Sequence, residues 1–415
     1  MTTSADIAEA RRNKTLIIFI LGLLATIDPF SIDFYLPAFK DIAQDLHATI
    51  NQVSLSISSY FAGMAIGQII YGPIVDRFGR RRPLYFGLGL YIVSSVLCMT
   101  AHNVEEIITY RFMQALTGSV AAVAALAMVR DFYPVKESAS IFSTIMLIIG
   151  ISPLAAPSLG GLVASVAGWQ WVFAILIFVV LVLIALVIFF LPPSALPDKT
   201  VSLKPKPIIT TFWKIFCNRQ FITFTLAGNF AFAILFVYVT ASPIIFMDHY
   251  KLSPKAFGLI FTLLSFGFIA SNRMNIVFLK RFSSGQIFKT AMLVQVGIAV
   301  IFLIAEWNDW LGMYGAIGMF LLMLGTLGSL ASNSSAIALA PFKSNIGSAS
   351  ALLGFIQIGI AGAISALTGL VSFKTLVPIP ALMLSTCIIA VLIYFIGTSG
   401  IKHLEAPDDG AVVTH

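Results

Sequence analysis

Charge is scarce in this sequence: charged residues make up 10% of its 415 residues, against 59% that are hydrophobic, and the mean hydropathy is +0.96. Apolar runs of about 20 residues recur from one end to the other, each long enough to cross a bilayer core, which excludes a water-soluble chain. The expected class is a polytopic membrane protein. A net charge of +7 and a pI near 9.3 would suggest an acidic partner in a soluble protein. Here the basic residues sit in short loops, where the positive-inside rule accounts for them, so nucleic acid is not expected as a partner.

Cysteine is equally sparse. Cys98, Cys217 and Cys387 lie far apart and form no C-x-x-C, so neither a disulfide nor a metal site is expected, and each reads as a small apolar residue. The five histidines, His47, His102, His249, His403 and His415, fall in predicted loops or the C-terminal tail, which leaves no buried metal cluster and no histidine-activated nucleophile. No Walker loop is present, so ATP is not the expected energy source and no cofactor is called for. An intramembrane enzyme therefore fits poorly. The N-terminus, "MTTSADIAEARRNK", is polar and basic, and the apolar stretch after it holds aspartates and lacks a small-residue cleavage site; it reads as a retained first span.

The apolar runs predict an all-α integral membrane fold of twelve spans: Thr15–Leu36, Val53–Gly72, Leu84–Ala101, Ile107–Val129, Ser138–Val166, Trp171–Leu191, Phe221–Ile245, Phe257–Leu279, Ile287–Ala305, Leu311–Ser332, Gly347–Leu370 and Leu376–Ile396. Placing the N-terminus inside puts 19 Lys and Arg on the cytoplasmic side and only Lys40, Lys251, Lys255 and Lys374 outside, so both termini are expected to be cytoplasmic. The polar, proline-bearing stretch Leu191–Lys214 marks a linker. A shift of 204 positions lays Arg77-Phe78 on Arg281-Phe282 and one first-span start on another. The domain reading is a six-helix bundle over 1–192, a cytoplasmic linker over 193–218 and a second six-helix bundle with a short tail over 219–415, a tandem repeat of the kind transporters build around a midplane site.

Four stretches carry chemistry. "GPIVDRFGRRRPL", from Gly72, contains Gly72, Asp76, Arg77, Gly79 and Arg80. Its glycines allow a tight turn, and Asp76 can sit against the positive end of the eleventh span near Ser344–Ser350 in one conformation, biasing an equilibrium between states. A plain topology anchor is the alternative for its arginines. Asp131, ending the fourth span on the same side, is a candidate partner for Arg80. "RFMQALTGS" puts Arg111 about one turn inside the fourth span, where an arginine must be paired or hydrated. By depth it can meet Asp33, or else snorkel to the surface. "GISPLAAPSLGG" brings Pro153, Pro157, Gly160 and Gly161 into the fifth span, suited to a helix that bends or seals, with generic small-residue packing as the competitor. "ATIDPFSIDFYLPAF" places Asp28 and Asp33 in the first span.

The loop from Gly72 resembles the G-x-x-x-D-[RK]-x-G-R-[RK]-[RK] loop of the major facilitator superfamily. "RFMQA" is similar to the R-x-x-Q-[GA] pattern of its proton-coupled members, and Ala156–Gly161 to the exporters' G-P-x-x-G-G, with alanine for the first glycine. "SIDFYLPA" resembles the first-helix signature of the Bcr/CflA group of drug:proton antiporters, the bicyclomycin and chloramphenicol resistance type. The resemblance implies the major facilitator fold in a bacterial inner membrane and a monomer that exchanges protons for a small, moderately hydrophobic molecule, expelling it by alternating access. Export or import of one physiological solute, such as a siderophore, nucleoside or amino-acid derivative, is the alternative.

Protonation neutralises a carboxylate, so burial and a nearby guanidinium act on it in opposite directions, which makes Asp33 with Arg111 the expected coupling pair. Asp28 stands outside the group's pattern. Five residues apart on a helix, the two acids point about 140° apart, and Asp28 remains open as a second carrier, a ligand for a cationic substrate or a structural acid. The second half offers no comparable acid. Candidate cavity residues are Phe34, Tyr35, Tyr60, Phe61, Gln114, Asn229, Phe232, Phe236, Tyr238, Asn333 and Gln357, a few polar groups among aromatics.

Overall fold

Lipid offers no hydrogen-bond partner, so an apolar chain must close its backbone bonds within each span, and helices do this. The computed structural model describes residues 13–133, 135–192, 205–342, 346–371 and 375–399. Among these, twelve helices are long and apolar enough to cross a membrane: α1 (Lys14–Asp45), α2 (Ile50–Phe78), α3 (Arg81–Met99), α4 (Val104–Val129), α5 (Ile148–Ala167), α6 (Gln170–Phe190), α7 (Arg219–His249), α8 (Pro254–Phe278), α9 (Ser284–Trp307), α10 (Met313–Leu339), α11 (Ser348–Leu370) and α12 (Pro378–Thr398). The expected linker lies partly outside the described residues, at 193–204. Its described part contains a short helix, Pro205–Phe216.

Local chemistry sets the helix ends. Thr49 starts α2 and Ser283 starts α9 with reciprocal capping boxes to Gln52 and Gln286, while Asn103 and Asn218 accept from the amides of Glu106 and Phe221 ahead of α4 and α7. Gly79 after α2 and Gly168 after α5 take φ of 81° and 95°, values that a side chain would strain. Outward-facing Phe86, Phe178 and Phe189 are 67%, 65% and 77% exposed, which is the surface that hydrocarbon covers.

The chain separates into two compact units, Met1–Leu203 with Phe246–Thr262, and Lys204–Ile245 with Leu263–His415. Phe246–Thr262 lies within the 219–415 stretch and groups with the first unit. The offset of 204 reappears in backbone geometry. His47 and Lys251, 204 positions apart, are both non-glycine residues in the left-handed region, with φ of 52° and 56°. Gly63 and Gly267, separated by the same interval, each mark a close helix crossing. A Cβ on Gly63 would strike the Phe112 carbonyl, and one on Gly267 would lie 2.9 Å from the Leu321 side chain. In a membrane, where apolar helices gain little by leaving lipid, such close approaches are a main source of packing energy.

One regularity was not visible in the hydropathy. Of the twelve spans, α1, α4, α7 and α10 are broken: at Phe34–Tyr35, Ser119, Ala233 and Gly325–Thr326, respectively. In α1 the cause is local, because Pro37 opens a 3-10 turn, Leu36–Ala38, and cannot donate the amide that a continuing helix needs. The interrupting residues Ser119 and Ala233 keep right-handed helical dihedrals, so α4 and α7 continue across them as single spans. Asp28, Asp33, Arg111 and Gln114 all stand within two or three turns of such a break.

Candidate functional site

Both aspartates of α1 are buried, and they face different neighbours. Asp28 accepts a 2.9 Å hydrogen bond from the Tyr60 hydroxyl of α2 and lies beside Gly118 of α4, where an added Cβ would be 3.2 Å from its Oδ1. Asp33 turns to α5, where the Ser152 hydroxyl makes a long 3.5 Å contact with its Oδ2. The separation expected of residues five apart is thus met by two helices on different sides.

Arg111 is fully buried, with a relative exposure of 0%. Its guanidinium carbon lies 4.0 Å from the centroid of the Tyr60 ring and 4.5 Å from that of Tyr35. It donates to the Gln114 side-chain oxygen and, at 3.2 Å, to the Ser31 carbonyl. Gln114 in turn donates to Ser95 at 2.7 Å, and the Ser31 and Tyr91 hydroxyls share a 2.6 Å bond. Snorkelling is therefore excluded, and so is the expected contact with Asp33. Among the described residues no carboxylate lies within 4.0 Å of Arg111. Asp28 is bonded to the tyrosine whose ring lies nearest the guanidinium, whereas Asp33 bonds Ser152 of α5. The pairing expected from depth alone fails on azimuth: Asp33 points toward α5, and two tyrosine rings occupy the space around the guanidinium.

The consequence for the expected cavity is a correction. Tyr35, Tyr60 and Gln114 enclose Arg111 and do not form an open wall, with the Tyr35 hydroxyl also tied to Ser56 at 3.0 Å. Phe34 and Phe61 are buried, Phe34 stacking on Phe30 at 5.1 Å between centroids. The first unit does contain a cavity of about 280 Å³, but it lies elsewhere, among α1, α3 and α6, lined almost wholly by apolar groups such as Leu23, Ile27, Phe30 and Leu183.

Asp33 is positioned by the small residues of α5. A Cβ on Gly160 would strike the Phe34 carbonyl, so glycine lets α5 press against the backbone beside the aspartate. Gly161 approaches the Pro254 carbonyl equally closely, and a Cβ on Gly258 would lie 2.5 Å from the carbonyl of Pro157. Ser158 and Thr262 share a 2.8 Å bond between hydroxyls, and Thr262 reaches the Leu154 carbonyl at 2.7 Å. Within the first unit, then, Leu154–Gly161 forms a backbone-to-backbone seam with Pro254–Thr262, with Pro153 and Pro157 inside the α5 helix. Gly160→Ala is expected to force α5 away from the Phe34 carbonyl of α1 at an overpacking cost of about 1–3 kcal/mol. Thermal unfolding and vesicle transport should both decline in that variant; normal values for both would show that the close approach is dispensable.

At the turn between α2 and α3, Arg80 donates to both oxygens of Asp131, at 2.9 and 3.3 Å, and also to Asp76 and the Val75 carbonyl. Arg81 donates to the Leu191 carbonyl. Burial disfavours the Arg80 charge, but Asp131 and Asp76 outweigh it and raise the guanidinium above its ordinary value. The expected Arg80–Asp131 partnership is present. Arg77 is partly buried, and Asp76 is half exposed with Arg80 as its partner; the expected counterpart near Ser344 lies outside the described residues in part. Gly79 makes the expected turn. Gly72 does not, since it lies inside α2, where an added Cβ would meet nothing within 4 Å. Arg80→Gln should lower thermal stability by about 1–3 kcal/mol. Arg80→Lys should fail to restore it, because lysine cannot offer the two-pronged donor geometry; full stability in either variant would contradict this role.

In the second unit, Asn333 donates at 2.6 Å to Asn275 and at 2.7 Å to the Ser329 carbonyl, so it joins α10 to α8 and is not an available cavity group. Gln295 plays the same part between α9 and α10, donating to Thr326 at 2.8 Å. Phe232 packs edge-on against Phe236 and Phe268. Asn229 is buried, and its amide nitrogen has no hydrogen-bond partner among the described residues. Tyr238 is buried against Phe320, and Gln357 is partly buried. The inter-helix partners Ser152, Asn275 and Ser271, whose hydroxyl oxygen accepts from the amides of Gly328 and Ser329 at 3.1 and 3.3 Å, were missed by sequence reasoning. Their one signal was a polar side chain inside an apolar run.

Comparison with known proteins agrees with this architecture. The family described as Major Facilitator Superfamily matches residues 18–366. The uncharacterized MFS-type transporter YdgK of Bacillus subtilis (strain 168) is 30% identical over 391 residues, covering 92% of this chain and 96% of the relative. A bicyclomycin resistance protein homolog of Haemophilus influenzae is 28% identical, covering 94% and 98%. Among solved structures, a D-xylose-proton symporter shares the fold with a TM-score of 0.72 at 14% identity, covering 95% of this chain and 99% of that one.

Proposed function

This chain belongs to the major facilitator superfamily of membrane transporters, and from that premise we propose that it is a proton-coupled antiporter that exports small, moderately hydrophobic molecules by alternating access. The observation that carries the reading is Asp33: a buried carboxyl at the break of α1, touched by one long hydroxyl contact and pressed by the glycine-bearing face of α5. With so few bonds, a small rearrangement of α1 against α5 changes which protonation state is favoured, and coupling requires such a group. The similarity to a bicyclomycin resistance protein homolog supports drug-like cargo.

In this reading the proton gradient supplies the energy, no cofactor takes part, no reaction is catalysed, and the protein works as a monomer in a bacterial inner membrane with both termini cytoplasmic. Each elementary charge moved is worth roughly 2.3 kcal/mol per 100 mV, ample to drive accumulation. The test uses everted membrane vesicles with an imposed pH gradient and bicyclomycin or chloramphenicol as cargo. Antiport moves cargo against the proton flow. Movement with the protons, or no movement that depends on the gradient, would overturn the reading.

A further inference from the structure

Arg111 poses an electrostatic problem that the antiport reading leaves open. A buried guanidinium without a direct ion pair is costly, and neutral partners such as the Gln114 oxygen and the Ser31 carbonyl offset only part of that cost. The rings of Tyr60 and Tyr35 add cation–π attraction. One further feature completes the arrangement: the ring nearest the guanidinium belongs to the residue whose hydroxyl donates to Asp28.

We propose that Asp28 is a second proton-binding site of this protein, and that Tyr60 transmits its charge state to Arg111. When Asp28 is ionised, its negative charge balances Arg111 from across the tyrosine, and donation by the Tyr60 hydroxyl makes the ring richer in electrons toward the cation. Proton uptake forms one O–H bond on the carboxylate and removes that charge. The Tyr60 bond then loses its charge assistance, and the guanidinium loses both the balancing charge and part of the ring attraction. Arg111, which also holds the Ser31 carbonyl of α1, is freed to rearrange near the breaks of α1 and α4.

The surroundings of Asp28 contain little else that could play this part. Tyr60 faces it from α2, Tyr91 from α3, and Arg111 and Gly118 from α4. On α1 itself Asp33 turns away toward Ser152. Neither Ile148–Ala167 nor Gln170–Phe190 contains an Asp, Glu, Lys or Arg. Tyr91 bonds Ser31 and not Asp28, which makes it the natural control.

The inference extends the antiport reading and is tested without cargo, so that the two can fail separately. Infrared difference spectra of the purified, reconstituted protein are recorded across a pH titration, following the carbonyl stretch of protonated carboxyls. The wild type should show two buried titrating carboxyls, of which Asp28→Asn removes one and Asp33→Asn the other. Tyr60→Phe keeps the ring and deletes the bond to the charged form, so the Asp28 signal should half-titrate about one to two pH units higher, while Tyr91→Phe leaves it in place. If Asp28→Asn fails to fold, Tyr60→Phe carries the test alone. A spectrum without a titrating Asp28 signal, or an Asp28 midpoint indifferent to Tyr60→Phe, would overturn the proposal.

Discussion

Asp33→Asn is expected to abolish gradient-driven exchange, bringing proton-driven accumulation of cargo in vesicles down to that of membranes lacking the protein, while the variant inserts and unfolds much like the wild type. Asparagine has nearly the same shape and can still accept from Ser152, so the packing around α1 and α5 is preserved. What disappears is the ability to change charge. A transporter whose cargo movement depends on that change loses the link to the proton gradient but retains its scaffold, so cargo should still equilibrate down its own gradient. Full proton-driven export by this variant would remove Asp33 from the mechanism.

Arg111→Ala is expected to have the second large effect, and it should act on stability as well as transport. The substitution empties the space between the Tyr35 and Tyr60 rings and strands the Gln114 oxygen, which together should cost about 3–5 kcal/mol. Thermal unfolding in detergent measures this directly. Arg111→Lys keeps the charge but lacks the planar face for stacking and the fork of donors, so it should recover part of the stability and little of the coupling. A double-mutant cycle locates the partner: Arg111 and Asp28 should couple, whereas Arg111 and Asp33 should be nearly additive. Additivity with Asp28 together with coupling to Asp33 would restore the pairing expected from depth alone.

That contrast shows how far the residues could be read in advance. The depth of Arg111 and the roughly opposite directions of Asp28 and Asp33 follow from counting along helices. So does the Arg80–Asp131 pair, because both residues end spans on the same side of the membrane. Which helix stands opposite each acid does not follow, since it depends on the rotation and tilt of neighbours that belong to distant parts of the chain. Tyr35, Tyr60 and Gln114 were therefore grouped correctly with the interior but given to cargo, when their rings and amide serve the arginine. Gly72 and Gly160 make the same point. Both stand in recognisable motifs, yet only Gly160 has backbone pressed against it.

By itself the sequence determined the class, the number of spans, the repeat and the two buried acids, because the transfer of apolar and charged groups into hydrocarbon is a property of each segment taken alone. Tertiary structure decided that Arg111 would be met by aromatic rings and not by a carboxylate, that α5 would seat Asp33, and that Phe246–Thr262 would join the first unit. Those outcomes depend on close approaches between segments far apart in the chain, where a single hydrogen in place of a methyl group determines whether two backbones can touch.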